Sequence, residues 1–240
     1  MIDVPAERAN EVAPLQETLG YRFSDLRLLN KALTHKSYVN EKNEVLKHNE
    51  RFEFLGDSVL DVMVSNYLVC EYSDYAEGTL SKIRAAVVNE NCLAGLARKI
   101  ELGKFLLLGK GEDKSGGRDK SSILADAFEA LAGALFRDSG LESTSNVILP
   151  ILSDEIFTFA CSCDFRDFKS ELQEYTQNKW FCTPSYKVVN ELGPDHAKEF
   201  VVTVTINSKV KGQGLGKNKK GAEQAAAKMA IESFLPLSKD

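Results

Sequence analysis

Along the first two thirds of this 240-residue chain, apolar residues recur at the three-and-four spacing of amphipathic helices. Leu26, Leu29 and Leu33 follow Ser24, which predicts a helix capped by that serine. Between His48 and Tyr72, the stripe Phe52, Leu55, Val59, Val62, Asn66 or Tyr67, and Val69 predicts a long amphipathic helix. Residues 80–88 and 92–100 form two more, with Asn89 placed to cap the second. Residues 110–120, charged and carrying Gly111, Gly116 and Gly117, are expected to be a loop. Residues 123–136 form a helix rich in small side chains that ends near Gly140, and residues 143–159 form a last one, bent or interrupted at Pro150.

Around residues 160–164 the pattern changes. Residues 168–178 are amphipathic and helical, residues 185–190 and 200–206 alternate with β-branched side chains as strands do, and residues 210–215 form a third strand. Residues 217–234 are an alanine-rich helix. The expected fold is therefore an all-α domain in residues 1–160 followed by a small α+β domain, ordered α-β-β-β-α, in residues 165–235.

Composition narrows the class. The chain is 43% hydrophobic and 27% charged, as in a soluble globular protein. No apolar run approaches the roughly 20 residues that span a bilayer, so no membrane association is expected. The start, Met1-Ile2-Asp3-Val4-Pro5, lacks a secretory pattern, and the five cysteines are scattered without CxxC spacing. Both features fit a cytoplasmic protein with reduced thiols. Charge is unevenly divided: residues 1–160 carry 18 Lys+Arg against 25 Asp+Glu, a net of −7, whereas residues 161–240 carry 12 against 10, a net of +2. An acidic body with a basic tail implies two tasks.

The acids of the first domain are patterned. Glu50, Glu53 and Asp57 stand at i, i+3 and i+7, so one helix face carries three carboxylates that repel one another. Asp126 and Glu129 stand at i, i+3 between Leu124, Ala125, Phe128, Ala130 and Leu131. Buried without a partner, two such acids would cost several kcal/mol, and a cation resolves the conflict. Hard carboxylate oxygens suit Mg2+, with Mn2+ as the alternative. A metal held between two such helices can activate water and stabilise a leaving oxygen. The competing reading is a solvated acidic face paired with Arg51, Lys82 or Arg84. Asp61, one turn further along, is left out of the set as a surface acid.

The segment Asn49-Glu-Arg-Phe-Glu-Phe-Leu-Gly-Asp-Ser58 resembles the signature of the bacterial ribonuclease III family, and Ser122-Ile-Leu-Ala-Asp-Ala-Phe-Glu-Ala130 resembles its second acidic motif. Glu77-Gly-Thr-Leu-Ser81 with Arg84-Ala85, and Gly109–Gly117, match in the same order. Phe52 stands where leucine is commoner. The resemblance covers essentially the whole chain. It implies that Glu53, Asp126 and Glu129 are metal ligands, that Asp57 and Glu129 carry the catalytic step, and that Glu50 and Glu77 are supporting or substrate-side residues. It also implies a homodimer, with Phe54 packing across the interface rather than in the core. The implied reaction is hydrolysis of double-stranded RNA to 5′-phosphate and 3′-hydroxyl ends, in rRNA and structured-mRNA processing.

In the basic tail, Lys217, Lys219 and Lys220 open the last helix, the unfavourable end of its dipole for a cation unless an external anion is bound. The loop Gly193-Pro194-Asp195-His196 separates two strands, and Ser170, Gln173, Glu174 and Gln177 share a helical face. Three such polar surfaces fit shape recognition of A-form RNA, in which two minor grooves and the phosphates between them span about 16 base pairs. Residues 165–235 resemble a double-stranded RNA-binding domain, with His196 and these lysines as RNA contacts and Tyr186 and Phe200 in the core. The alternative to an enzyme is a non-cleaving double-stranded RNA-binding protein on a nuclease-like dimer; the intact acids at 53, 57, 126 and 129 argue against it.

Overall fold

The computed structural model describes residues 4–42, 47–162, 167–194 and 198–234. The chain forms two compact units, Met1–Asp74 with Leu80–Phe165, and Arg166–Asp240 with Tyr75–Thr79. The first is helical: α1 (Ala6–Leu19), α2 (Leu26–Ala32), α3 (Lys36–Lys42), α4 (Glu50–Glu71), α5 (Glu77–Val87, in this unit from Leu80 onward), α6 (Glu90–Lys99), α7 (Lys110–Lys114) and α8 (Ser121–Cys161). The second runs α9 (Phe168–Trp180), β1 (Ser185–Leu192), β2 (Glu199–Ile206), β3 (Lys209–Gly216) and α10 (Lys219–Phe234). Both fold classes are those expected from the apolar pattern.

Helix α8 is the axis of the first unit, with α2, α4 and α6 packed on it. Its contact with α4 is unusually close. A Cβ on Gly56 would lie 1.7 Å from the Glu129 carbonyl oxygen, and one on Gly133 would lie 2.3 Å from the Phe52 carbonyl oxygen. Two glycines thus let the helix backbones meet, which accounts for a residue that otherwise costs about 1 kcal/mol inside a helix.

Several local expectations are corrected. The buried face of α4 is Phe52, Gly56, Val59, Leu60, Met63, Val64 and Leu68, while Val62 and Val69 are exposed. The predicted stripe mixed two faces because this helix is apolar on more than one side. Asp25, not Ser24, caps α2, its side chain accepting the Arg27 amide at 3.0 Å. The Ser24 amide donates instead to Asp138, which also accepts from the Asp25 amide and the Tyr21 hydroxyl. Pro150 stays within helical backbone, against expectation, while α8 breaks at Gly140 (φ 79°), where the sequence ended its helix, a conformation that glycine alone adopts cheaply. The expected loop at 110–120 contains α7 and a 3-10 turn at Gly117–Asp119. Arg118 organises it, donating to the carbonyls of Gly103, Lys104 and Leu106 while pairing with Asp113 at 2.8 Å.

In the second unit, the antiparallel sheet β1-β2-β3 presents Val202, Val204 and Ile206 to Phe168 and Leu172 of α9 and the alanine face of α10. Strand β3 offers Gly212 and Gly214 where large apolar side chains would normally point inward. A Cβ on Gly214 would lie 2.2 Å from the Ala226 nitrogen, so α10 rests directly on the strand backbone through Ala222, Ala226 and Ala230. Tyr186 and Phe200 pack against this core, as expected from the sequence.

Candidate metal centre and nucleic-acid interface

The glycine contact between α4 and α8 sets the register that joins the two acidic segments. Glu53 lies one turn before Gly56 on α4, Asp57 follows it, and the carbonyl touching Gly56 belongs to Glu129. Glu53, Asp126 and Glu129 each bring a carboxylate oxygen within 4.8 Å of the others. The start of α4 is anchored through the buried Asn49, whose amide donates to the Thr34 carbonyl at 2.9 Å. The Asn49 carbonyl accepts the amides of Phe52 and Glu53. Glu53 is thereby placed by the turn between α2 and α3 as well as by its own helix.

The electrostatics are those of a site built for a cation. Burial, then the charges of Asp57, Asp126 and Glu53, push the Glu129 carboxyl up to about 7. Asp126 is raised by burial and then by Glu90, and Glu53 by burial and then by Asp126. Carboxylates that resist ionising together ionise readily around a divalent ion, which replaces both the missing hydration and the missing countercharge. Neutralisation within the chain is limited. Arg84 reaches Ser65 and Asp61 instead, at 2.9 and 3.7 Å, so Asp61, expected as a lone surface acid, is half-buried and paired, and Arg84 does not offset the cluster.

The other predicted residues are placed as follows. Asp57 is exposed beside the cluster, and its charge acts on Glu129 and Glu53. Glu50 is paired with Lys36 at 3.1 Å, and that ammonium holds its carboxyl below the usual range. Glu77 is exposed in the first turn of α5, outside the three-carboxylate group. Phe54 is 79% exposed, which removes the core reading. Two neighbours escaped the sequence pattern, Lys36 and Glu90. Neither lies in an acidic stripe, and their nearness to the cluster arises only when α3 and α6 pack.

In the second unit, Ser170, Gln173, Glu174 and Gln177 are all exposed on one face of α9 and, with Asn178, line a shallow depression. Asp167 caps this helix, accepting the Ser170 amide at 3.2 Å and the Gln224 side-chain amide at 2.7 Å, which ties α9 to α10. Helix α10 begins at Lys219, not at residue 217. Asn218 caps it, its side-chain oxygen accepting the Gly221 amide at 2.7 Å. Lys217, Lys219 and Lys220 surround that cap and are exposed. His196 lies outside the described residues.

Comparison with known proteins matches two segments of the chain separately. Residues 25–155 match the family model described as Ribonuclease-III-like, and residues 168–233 match the double-stranded RNA binding motif. The chain is 50% identical over 221 residues to Ribonuclease 3 of Caldanaerobacter subterraneus subsp. tengcongensis, covering 92% of this chain and 96% of that one. It is 43% identical over 228 residues to Ribonuclease 3 of Borreliella burgdorferi, covering 95% and 93% respectively. Among solved structures, the nuclease domain of ribonuclease III from Campylobacter jejuni, described as flexible in a region involved in dimer formation, is similar with a TM-score of 0.56 and 42% identity. That match covers 60% of this chain and 97% of the other. With both segments matched and full-length relatives at this identity, the chain belongs to the ribonuclease III family.

Proposed function

We propose that this protein is an endoribonuclease that hydrolyses phosphodiester bonds of double-stranded RNA, leaving 5′-phosphate and 3′-hydroxyl ends. The observation that carries the chemistry is the convergence of Glu53, Asp126 and Glu129 within 4.8 Å, with Asp57 beside them. The donor set fits a hard divalent ion, Mg2+ or Mn2+, with Glu53, Asp126 and Glu129 as its ligands. When bound, such an ion supplies Lewis-acid stabilisation of charge on the phosphate and lowers the pKa of water. The chain's own residues do the rest. Glu53 and Asp126 are half-buried, so bulk water competes less with them for the ion. Glu129, whose carboxyl is pushed up by burial and by the charges of Asp57, Asp126 and Glu53, would be held ionised by the bound cation. Asp57 and Glu129 carry the step: Asp57, open to solvent, accepts the proton of the attacking water while Glu129 holds the cation, and the departing 3′ oxygen takes a proton from solvent as its bond to phosphorus breaks. Glu50 is held by Lys36 and acts as a supporting group, as does Glu77.

Substrate selection is assigned to residues 165–235. The α9 face, the loop carrying His196, and Lys217, Lys219 and Lys220 around the start of α10 are the three contact surfaces for a duplex. Catalysis is assigned to residues 1–160. The exposed Phe54, with Val62 and Val69 also exposed on α4, supports a homodimer in which Phe54 crosses the interface. No helix among the described residues is long and apolar enough to cross a membrane. The free Cys70, Cys92, Cys161 and Cys182 fit a reducing, cytoplasmic setting, in which rRNA precursors and structured messages are the expected substrates.

The test is cleavage of a long RNA duplex in magnesium, with single-stranded RNA and duplex DNA alongside. Cutting confined to the RNA duplex, dependent on the metal, and yielding 5′-phosphates supports the proposal. Binding without cutting in any divalent metal would return the protein to the non-cleaving alternative.

A further inference from the structure

The helical unit is acidic as a whole, yet at one part of its surface four cations gather. Lys31 on α2 is partly buried, with its Nζ 3.8 Å from the centre of the Phe52 ring. The Phe52 carbonyl is the atom that Gly133 approaches so closely, and Arg137 follows one turn further along α8. Arg51 adjoins Phe52 in the chain, and Lys47 precedes it by four residues. After burial, the groups that act on the Lys31 ammonium are Arg51, Lys47 and Arg137, all lowering its pKa, with no carboxylate among them.

The acids nearest in sequence are committed elsewhere. Asp138, beside Arg137, accepts from Tyr21, Ser24 and Asp25. Glu50, beside Arg51, is held by Lys36 at 3.1 Å. Lys47, Arg51 and Arg137 are exposed. A fold with 25 acids in residues 1–160 could readily have neutralised these four cations, and instead leaves them repelling one another.

We propose that Lys31, Lys47, Arg51 and Arg137 form a phosphate-binding patch through which the helical unit holds the backbone of an RNA duplex away from the bond being cut. At 100° per residue, Arg51 lies about 200° around α4 from Glu53, so the patch and the acidic cluster use different faces of one helix. A cluster of lysine and arginine fits sugar–phosphate backbone better than base edges. A two-fold contact between copies through this patch would set like charges against each other, whereas a polyanion relieves all four. The inference rests on the duplex-RNA reading above.

The test uses the full chain with Lys31→Met, which keeps the stem over Phe52, combined with Lys47→Gln, Arg51→Gln and Arg137→Gln. Duplex RNA binding is measured across a salt series with calcium replacing magnesium, and self-association is followed by sedimentation. The variant is expected to bind at least about tenfold more weakly at low salt, with a slope of log K against log salt shallower by about 0.9 for each phosphate no longer neutralised. Dimerisation and magnesium affinity stay at wild-type values. If the fourfold variant does not fold, Lys47→Gln with Arg137→Gln, both at exposed positions, is expected to flatten the slope by about one to two. A wild-type slope and affinity overturn the patch, as does weakened self-association with an unchanged slope, which would assign these residues to an interface with a second copy. Wild-type protein that cuts duplex RNA while the variants bind normally sinks the patch alone; wild-type protein that neither binds nor cuts sinks the underlying reading as well.

Discussion

Glu129 shows how a single carboxyl can be unfavourable to the fold and useful to the site. Its carboxyl stands at about 7 in the folded protein against an ordinary 4.5. Between those values the folded chain holds a proton that the unfolded chain has released. Stability of the metal-free protein therefore falls as pH rises through that interval, by up to about 3 kcal/mol from this group, less the share that its partial exposure to solvent screens. Glu129→Gln removes the loss: metal-free melting temperatures of the variant and the wild type are expected to agree near pH 5 and to diverge by several degrees at pH 8, with the variant higher. Magnesium at pH 8 is expected to stabilise the wild type and have less effect on the variant. Equal melting at both pH values would contradict the burial and crowding described for this residue. Asp126 and Glu129 were legible in the sequence because their neighbours are almost entirely apolar, so a cation was the simplest remedy. Lys36 was not legible, because it meets Glu50 across 14 positions and through a turn that no periodicity encodes.

Helix pairing depends on where the chain omits a side chain. Gly56 and Gly95 are both helical glycines, but a Cβ at Gly56 meets the Glu129 carbonyl at 1.7 Å, while one at Gly95 meets nothing within 4 Å. Gly56→Ala is expected to destabilise the protein by about 3 kcal/mol, since α4 and α8 must part, and to weaken metal binding with it. Gly95→Ala is expected to be neutral or stabilising by up to about 1 kcal/mol. Denaturant melts of the two variants check the contrast, and a mild Gly56→Ala would mean the helices can separate without cost. At this scale the sequence showed α4 and the first half of α8 clearly, along with the order of the second unit. It did not show α1 or α3, or which apolar face of α4 turns inward. Those depend on partners: Val62 and Val69 are as hydrophobic as Val59 and Val64 yet remain outside. The end near Gly140 was legible, because its backbone (φ 79°, ψ −179°) is one that glycine alone adopts cheaply, whereas the bend expected at Pro150 is absorbed within the helix.

For the whole molecule, the charge asymmetry read from the sequence matches the division between an acidic helical unit and an α-β-β-β-α unit with exposed lysines at the start of α10. Changing Lys217, Lys219 and Lys220 together to alanine is expected to weaken duplex binding and flatten its salt dependence by roughly 0.9 per phosphate left without its lysine. A salt slope equal to that of the wild type would remove these lysines from the interface. The central claim is that acids from α4 and α8 form one centre for RNA hydrolysis, separable from RNA binding. Its most direct test compares Asp57→Ala and Glu129→Ala with the wild type for both cleavage and binding of the same RNA duplex. The prediction is that each variant cuts at least about a thousandfold more slowly while binding the duplex with little change; either variant cutting at the wild-type rate would contradict it.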